Sequence, residues 1–410
     1  MTDAARPARR SILGLPPVVF AAAALAVALK LALALRTTGT NDIRSFMYFL
    51  LEYESWGMRR IYAEEAEFNH PPFVLHWLGA LRWLYLHVGL TPGFWIRLPS
   101  ILADFGGACL LGRILAGRLG DRGVRATLLL AVLAPVSVFV SGFHGNNDPV
   151  MIFFVLLSVF LLERSAPDWA AGLAMGMAVN LKIVPLVFWP AIFLWLPGAR
   201  RRAEYFGAAI LAVVLASSPI LFQEPALLAR KVLGYKSSFG LWGLSRILAP
   251  VPALAQSFAS AGRFLLVGVL ALLALWMNLR PRKPGPFVQV GVLAFAFLAF
   301  SPGFGVQYLA WLVPWVAGAP LAAASAFTAT SACFLGLVYT FWCQGVPTER
   351  GDPWFTHAVF WRNGLPWDFA NADRMQEWRG PIIAFEIACW LAVLWVLGAK
   401  LRGVRSAVAA

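Results

Sequence analysis

The sequence predicts an all-α polytopic membrane protein of about twelve transmembrane helices. Three observations lead there. Of 410 residues 60% are hydrophobic and only 13% charged, against about 25% charged in soluble domains. Mean hydropathy is +0.70. The apolar runs are spread evenly and are long enough for helices, which satisfy their own backbone hydrogen bonds in lipid. The whole chain, residues 1–410, therefore reads as a single membrane domain. The net charge of +14 would point to nucleic acid in a soluble protein. Here Lys and Arg sit mostly in short loops, as the positive-inside rule requires, and no nucleic-acid partner is implied. Cys109, Cys333, Cys343 and Cys389 lie in or beside apolar runs without metal-type spacing and read as packing residues.

In chain order, Met1–Ser11 carries Arg6, Arg9 and Arg10 and leads into a first span at Ile12–Leu35. It has no small-residue cleavage site before a polar start. The span thus reads as retained, with the N-terminus in the cytoplasm, in preference to a cleaved signal peptide. The stretch from Arg36 to Arg97 is long, charged and also hydrophobic, unlike a mere connection. Asn41–Trp56 suits a helix with Thr40 or Asn41 as cap and Asp42 in its first turn. Pro72–Val88 is apolar enough to span. Counting it would place the Arg-rich segment from Gly117 to Arg125 outside, against the charge rule, so it is expected to lie flat on the outer face.

Further spans are expected at Leu98–Ala116, Ala126–Ser141, Val150–Leu162, Ala170–Leu181, Ile183–Leu196, Phe206–Phe222, Phe264–Leu279, Val288–Phe300, Tyr308–Val316, Leu321–Phe341 and Ile382–Ala399. Both termini then lie inside. Residues 1–222, with the outer loop 36–97, form one module, and residues 223–410 a more variable one with outer loops at 223–259 and 342–379. No internal repeat of the kind that marks many transporters is present.

This topology brings four polar clusters to one face: TND at 40–42, HGNND at 144–148, NLK at 180–182 and FGVQY at 304–308. Each also has a plainer reading. Asp42 can serve only as a first-turn acid, Asp148 as a cap ahead of Pro149, and Lys182 can snorkel to the interface. Asp104 and Glu386 lie inside expected spans, where a lone charge faces a partner or water; Lys30 snorkels or pairs with Asp104.

Five segments resemble the C superfamily of membrane glycosyltransferases, over most of the chain and most strongly in its first two hundred residues. Asp42 followed about thirty residues later by NHPPF resembles the acidic residue and YPP-type segment of that family's first outer loop, with His70 in place of the tyrosine. RLPSILADF at 97–105 resembles its second span. GFHGNNDP resembles its H-Q-x-D-type turn, GLAMGMAVNLKIVPL its G-x-x-x-G…K-x-x-P-L segment, and SPGFGVQYLAWLVPW its S-P…Q-Y-L-x-W segment.

The resemblance implies an inverting transfer of a sugar (mannose, or another hexose or pentose) from a polyprenyl-phosphate-linked donor to a glycolipid or glycan acceptor. Transfer would take place on the outer face of a bacterial cytoplasmic membrane, among membrane lipids. Asp42 carries over as the catalytic base. Arg44, His70, His144, Asn147, Asp148, Lys182, Gln307 and Tyr308 are the candidate substrate-binding residues. Lys182, with Arg44, Arg246 or Arg350, would offset the phosphate charge. No cofactor is implied. A divalent metal can be accommodated, but no ligand cluster demands one. Two alternatives stand beside this reading. One is a transporter or flippase of lipid-linked sugars or small solutes. The other is an oligosaccharide polymerase or ligase, whose polar cluster would fall in the 342–379 loop.

Overall fold

The computed structural model describes residues 11–37, 39–234, 237–341 and 375–406. Arg350, Cys343 and most of the loop at 342–379 lie outside the described residues. The described chain is helical except for one two-residue ladder, in which β1 (Ser238–Phe239) pairs antiparallel with β2 (Gly303–Phe304).

The first half comprises α1 (Pro17–Arg36), α2 (Asn41–Trp56), α3 (Met58–Glu64), α4 (Phe73–Val88), α5 (Pro92–Ile114), α6 (Arg122–Val132), α7 (Pro135–Phe139), α8 (Asp148–Glu163), α9 (Asp168–Leu181), α10 (Trp189–Trp195) and α11 (Ala199–Leu221). Then come α12 (Pro225–Leu233), α13 (Gly243–Leu248), α14 (Pro252–Asn278), α15 (Pro286–Phe300), α16 (Val313–Val316), α17 (Leu321–Phe341) and α18 (Met375–Ser406). Among the described residues, seven helices are long and apolar enough to cross a membrane: α1, α5, α6 with α7 and the turn after it (Arg122–His144), α11, α14, α17 and α18. The other five expected crossings are also helical but shorter, at α8, α9, Val184–Trp195, α15 and Val306–Val316.

Several boundaries differ from those expected, and two of them change the outer loops. The second long helix starts at Pro92, not Leu98, so the opening loop ends near Thr91. Thr91 caps the helix, its side chain accepting from the Phe94 amide, and Pro92 takes the first-turn position that needs no amide hydrogen. α14 starts at Pro252 instead of Phe264, for the same proline reason, and shortens the loop expected at 223–259. The opening stretch holds three helices where two were expected. Gly57, with φ +79°, ends α2 and starts α3.

Two hydrophobic cores result. The larger runs through α1, α5–α9, α14, α15, α17 and α18. The smaller lies under the opening stretch, where Phe46, Met47 and Leu50 of α2, Ile61 and Tyr62 of α3 and Leu75 and Leu78 of α4 pack on the start of α5 and on α12. Small residues set the closest approach in the bundle. A Cβ on Gly172 would lie 2.0 Å from the Tyr205 carbonyl oxygen, and one on Gly176 2.6 Å from that of Ala209. α9 therefore presses its backbone against α11, as small-xxx-small faces allow.

Two buried charges of the bundle are paired, and a third is held by neutral oxygens. Lys30 Nζ lies 2.6 Å from Asp104 Oδ2 and 2.7 Å from Ser137 Oγ, which settles the Lys30 alternatives in favour of pairing. Glu386 pairs with Arg246 and accepts from the Gly243 amide at 3.3 Å. Arg97 is fully buried and is satisfied by oxygens alone. Its Nε donates to Gly93 O (2.7 Å), Nη1 to Thr37 Oγ1 (2.9 Å), Gly142 O (3.2 Å) and Phe143 O (3.3 Å), and Nη2 to Ala34 O (3.0 Å) and Thr37 O (2.7 Å). One planar fork thus ties the end of α1 and the turn at 140–144 to α5. Arg97→Lys keeps the charge but not the fork. It is expected to lower stability by about 3 kcal/mol, read as an earlier thermal transition in detergent; an unchanged transition would remove Arg97 from this role.

Candidate active site

The site gathers where α2 begins, α8 begins and α9 ends. Thr40 caps α2: its hydroxyl oxygen accepts from the Asp42 amide at 3.3 Å and its hydroxyl hydrogen goes to His144 O at 2.8 Å. The cap therefore anchors Asp42 to the 140–144 segment as well as starting the helix. That segment, Val140–His144, is a single π turn, and it leaves the Gly142 and Phe143 carbonyls facing Arg97. Gly145 follows in the left-handed region at φ +82°, and a Cβ there would lie 2.3 Å from Ile43. Only glycine lets the loop pass this close to α2.

Asp42 is 35% exposed, and both of its side-chain donors reach the same oxygen: His144 Nε2 at 3.0 Å and Asn146 Nδ2 at 2.6 Å from Oδ2. Burial alone would raise this carboxyl. The His144 ring, the two hydrogen bonds and the nearby Lys182 charge outweigh that and hold it well below the usual carboxylate range. Asp42 is therefore ionised at neutral pH.

Asp148 is fully buried. Its Oδ1 accepts from Lys182 Nζ at 2.6 Å, and its amide donates to Asn146 Oδ1 at 3.0 Å. The capping expected of the Asp148 carboxylate does not occur, because Lys182 holds it; the charge still lies in the first turn of α8, where the helix dipole favours it. Lys182 does not snorkel. It is 13% exposed, and its ammonium lies 5.3 Å and 5.5 Å from the ring centroids of Tyr308 and Trp311, which stack on each other.

Two cavities meet at Asp42. The first, about 590 Å³, is lined by Lys182, Arg230, Lys231, His70, Asn146 and Gln307, with Glu67 and Asp42 as its acids. Burial and the Lys182 charge push His70 down to about 3, so its ring is neutral. The second, about 400 Å³, is lined by Phe304, Phe334, Val338 and Ile382, with His144, Tyr339 and Arg246 as polar groups. One chamber is basic and the other mainly apolar, and the Asp42 carboxylate belongs to both walls.

Several expected site residues are placed elsewhere. Arg44, two residues after Asp42 and so turned away from it on the helix, lies over the Tyr48 ring and lines neither chamber. Asn147 is buried and donates to Leu181 O at 3.3 Å, while its neighbour Asn146 touches Asp42. Asp148 and Tyr308 support Lys182 from behind and do not line a chamber. Asn146, Tyr339, Arg230 and Lys231 were not singled out in the sequence. Tyr339 is one aromatic among many on an apolar helix, and Arg230 and Lys231 read as the basic end of a short amphipathic one.

Residues 140–237, which include the HGNND turn, Asp148 and Lys182, match the family model described as Mannosyltransferase (PIG-M). The chain is an enzyme of the mannosyltransferase type, and it resembles the membrane glycosyltransferases of the C superfamily. In particular, it is similar to the polyprenol-phosphate-mannose-dependent alpha-(1-2)-phosphatidylinositol pentamannoside mannosyltransferase of Mycolicibacterium smegmatis. The two are 27% identical over 346 residues, covering 76% of this chain and 75% of that protein.

Near the site, α2 and the segment after α3 bring two carboxyls together. Burial and the Glu65 carboxyl, which hydrogen-bonds to it, push Glu52 up to about 7. The folded protein therefore holds this proton more tightly than the unfolded chain. The stability it contributes is present below the unfolded value of 4.5 and is lost as pH rises through about 7. Glu52→Gln should flatten the fall in melting temperature over that range; an unaltered slope would mean the pair does not titrate there.

Proposed function

We propose that this enzyme transfers a mannosyl residue from a polyprenyl-phosphate carrier to a hydroxyl of a glycolipid or glycan acceptor on the outer face of the membrane, with inversion, and that Asp42 is the base. The observation that carries this reading is the position of Asp42 in the wall common to a basic and an apolar chamber. Two substrates can then meet at one carboxylate. The donor and sugar follow the similarity to a mannosyltransferase whose name states polyprenol-phosphate-mannose dependence. Orientation follows charge. Arg113, Arg118, Arg122, Arg125 and the run Arg200, Arg201 and Arg202 belong to helix ends away from Asp42, which supports a cytoplasmic location for those ends.

In the reaction, Asp42 takes the proton of the acceptor hydroxyl as that oxygen bonds to the anomeric carbon. The bond from the anomeric carbon to the phosphate oxygen breaks, and its electron pair leaves on the lipid phosphate. Phosphate is already a good leaving group, so charge compensation matters more than protonation. Lys182, Arg230 and Lys231 in the basic chamber supply it. A carboxylate held strongly ionised is a weak base toward a free alcohol. It accepts the proton only as the forming bond makes the hydroxyl acidic, which suits a concerted displacement. Base and leaving group on opposite sides of the anomeric carbon give inversion. His70, Asn146 and Gln307 can meet sugar hydroxyls.

Asp42→Asn in proteoliposomes with labelled polyprenyl-phosphate mannose should lower kcat by about 10²–10⁴-fold while donor binding stays within a few-fold. Near-normal turnover would remove Asp42 from the role of base. Lys182→Gln should raise the donor KM by about tenfold, the loss expected of one charge-assisted contact. An unchanged donor KM would confine Lys182 to its bond with Asp148.

A further inference from the structure

His144 is held at both ring nitrogens. Nε2 faces Asp42 Oδ2 at 3.0 Å, and Nδ1 faces the Tyr339 hydroxyl at 3.1 Å. The histidine and the tyrosine are both buried, at 5% and 2% exposure. Tyr339 comes from α17, 195 positions further along the chain, and its ring is wedged edge-on against Phe139 (5.9 Å) and Phe143 (5.5 Å). The sequence reading placed His144 near substrate and gave Tyr339 no role.

We infer that Tyr339 is a positioning residue that holds His144 as a neutral ring with its proton on Nε2, and thereby decides which oxygen of Asp42 is reactive. This rests on the proposed role of Asp42 as base. A neutral imidazole carries one N–H, a protonated one carries an N–H on both nitrogens and would make the Tyr339 oxygen the acceptor, and a carboxylate can only accept. If the Tyr339 hydroxyl donates to Nδ1, the ring proton must sit on Nε2 and point at Oδ2. The opposite tautomer would set a lone pair against an ionised carboxylate at 3.0 Å. The Asn146 amide donates to the same oxygen at 2.6 Å. Both side-chain donors therefore saturate Oδ2, and among the described residues none is directed at Oδ1. Oδ1 is then the oxygen that takes the acceptor proton, while Oδ2 stays locked to His144 and Asn146. Two donors on one oxygen also fix the carboxylate plane, so Oδ1 keeps a constant bearing on both chambers. Logic of this kind, in which a third group sets the tautomer of a histidine beside the reacting group, operates in hydrolytic triads with the chemical roles differently distributed.

The inference is tested by combining nitrogen NMR with kinetics. In protein labelled at its five histidines and embedded in bilayers, the His144 signals, assigned by their loss in His144→Asn, should show Nε2 protonated and Nδ1 unprotonated and hydrogen-bonded. Tyr339→Phe should remove the hydrogen-bond displacement of Nδ1 or mix the tautomers. It should also lower kcat about tenfold, the effect one hydrogen bond commands, with donor and acceptor KM unchanged. Phe139→Leu, which loosens the packing of Tyr339 and leaves its hydroxyl, should keep kcat within twofold. A wild-type spectrum with Nδ1 protonated overturns the inference, even if Tyr339→Phe does not fold. So does a Tyr339→Phe variant that turns over normally or loses activity only through KM, since Tyr339 would then merely shape the apolar chamber. The NMR readout needs no substrate. It fails or succeeds separately from Asp42→Asn, so the base assignment and the tautomer assignment can be lost one without the other.

Discussion

The buried guanidinium of Arg97 is the constraint on which the site depends. Among the described residues it has no carboxylate partner, yet each arm of the fork is taken up by backbone or hydroxyl oxygens from three separate segments. The end of α1 offers carbonyls that its own helix cannot use, and the negative end of that helix stabilises the cation further. The π turn supplies two more carbonyls, because it ends the helix at Gly145 and its last carbonyls have no intrahelical partner. Thr40, three residues past Thr37, then holds His144 O and starts α2. Asp42 and His144 are thus fixed relative to each other by a backbone frame and not only by their own hydrogen bond. Such rigidity would keep the proposed base within the narrow tolerance that displacement chemistry requires.

Charge in the site is arranged in two tiers. Lys182 is matched by the buried Asp148 and flanked by two aromatic rings, so its ammonium keeps one direction open, toward the basic chamber. A bare buried lysine would tend to lose its proton. The pairing with Asp148 still leaves the field of Lys182 to act on Asp42. The Glu386–Arg246 pair acts similarly at the edge of the apolar chamber, where a single charged side chain is tolerated because its counter-charge is within contact.

Much of this was legible in the sequence. Hydropathy and loop charge located all the long helices, and polar residues at their ends predicted that TND, HGNND, NLK and FGVQY would converge. Helix starts were less legible: the Thr91 cap with Pro92 behind it, and the first-turn Pro252, are start signals that hydropathy windows pass over. Neither could the sequence separate Asn146 from Asn147. They are adjacent and chemically identical, and the left-handed Gly145 decides which amide turns toward Asp42. Tyr339 was hidden because its meaning comes from a contact across 195 positions. Arg44 misled for the opposite reason: closeness in sequence suggested closeness in space, whereas two steps along a helix point nearly opposite ways.

The common wall between the two chambers has a consequence for the order of events. If each lipid enters its own chamber, neither has to leave before the other arrives, and a complex of enzyme with both is a natural intermediate. No sugar then needs to be parked on the protein between them. The same wall carries a liability. With the apolar chamber empty, the carboxylate faces whatever fills that space, and water is a smaller nucleophile than any glycolipid. Protection of the donor therefore falls to the residents of that chamber: Phe304, Phe334, Val338 and Ile382 make it a poor place for water to gather. Its apolar lining would then conserve donor while the enzyme waits for an acceptor, in addition to accommodating a lipid.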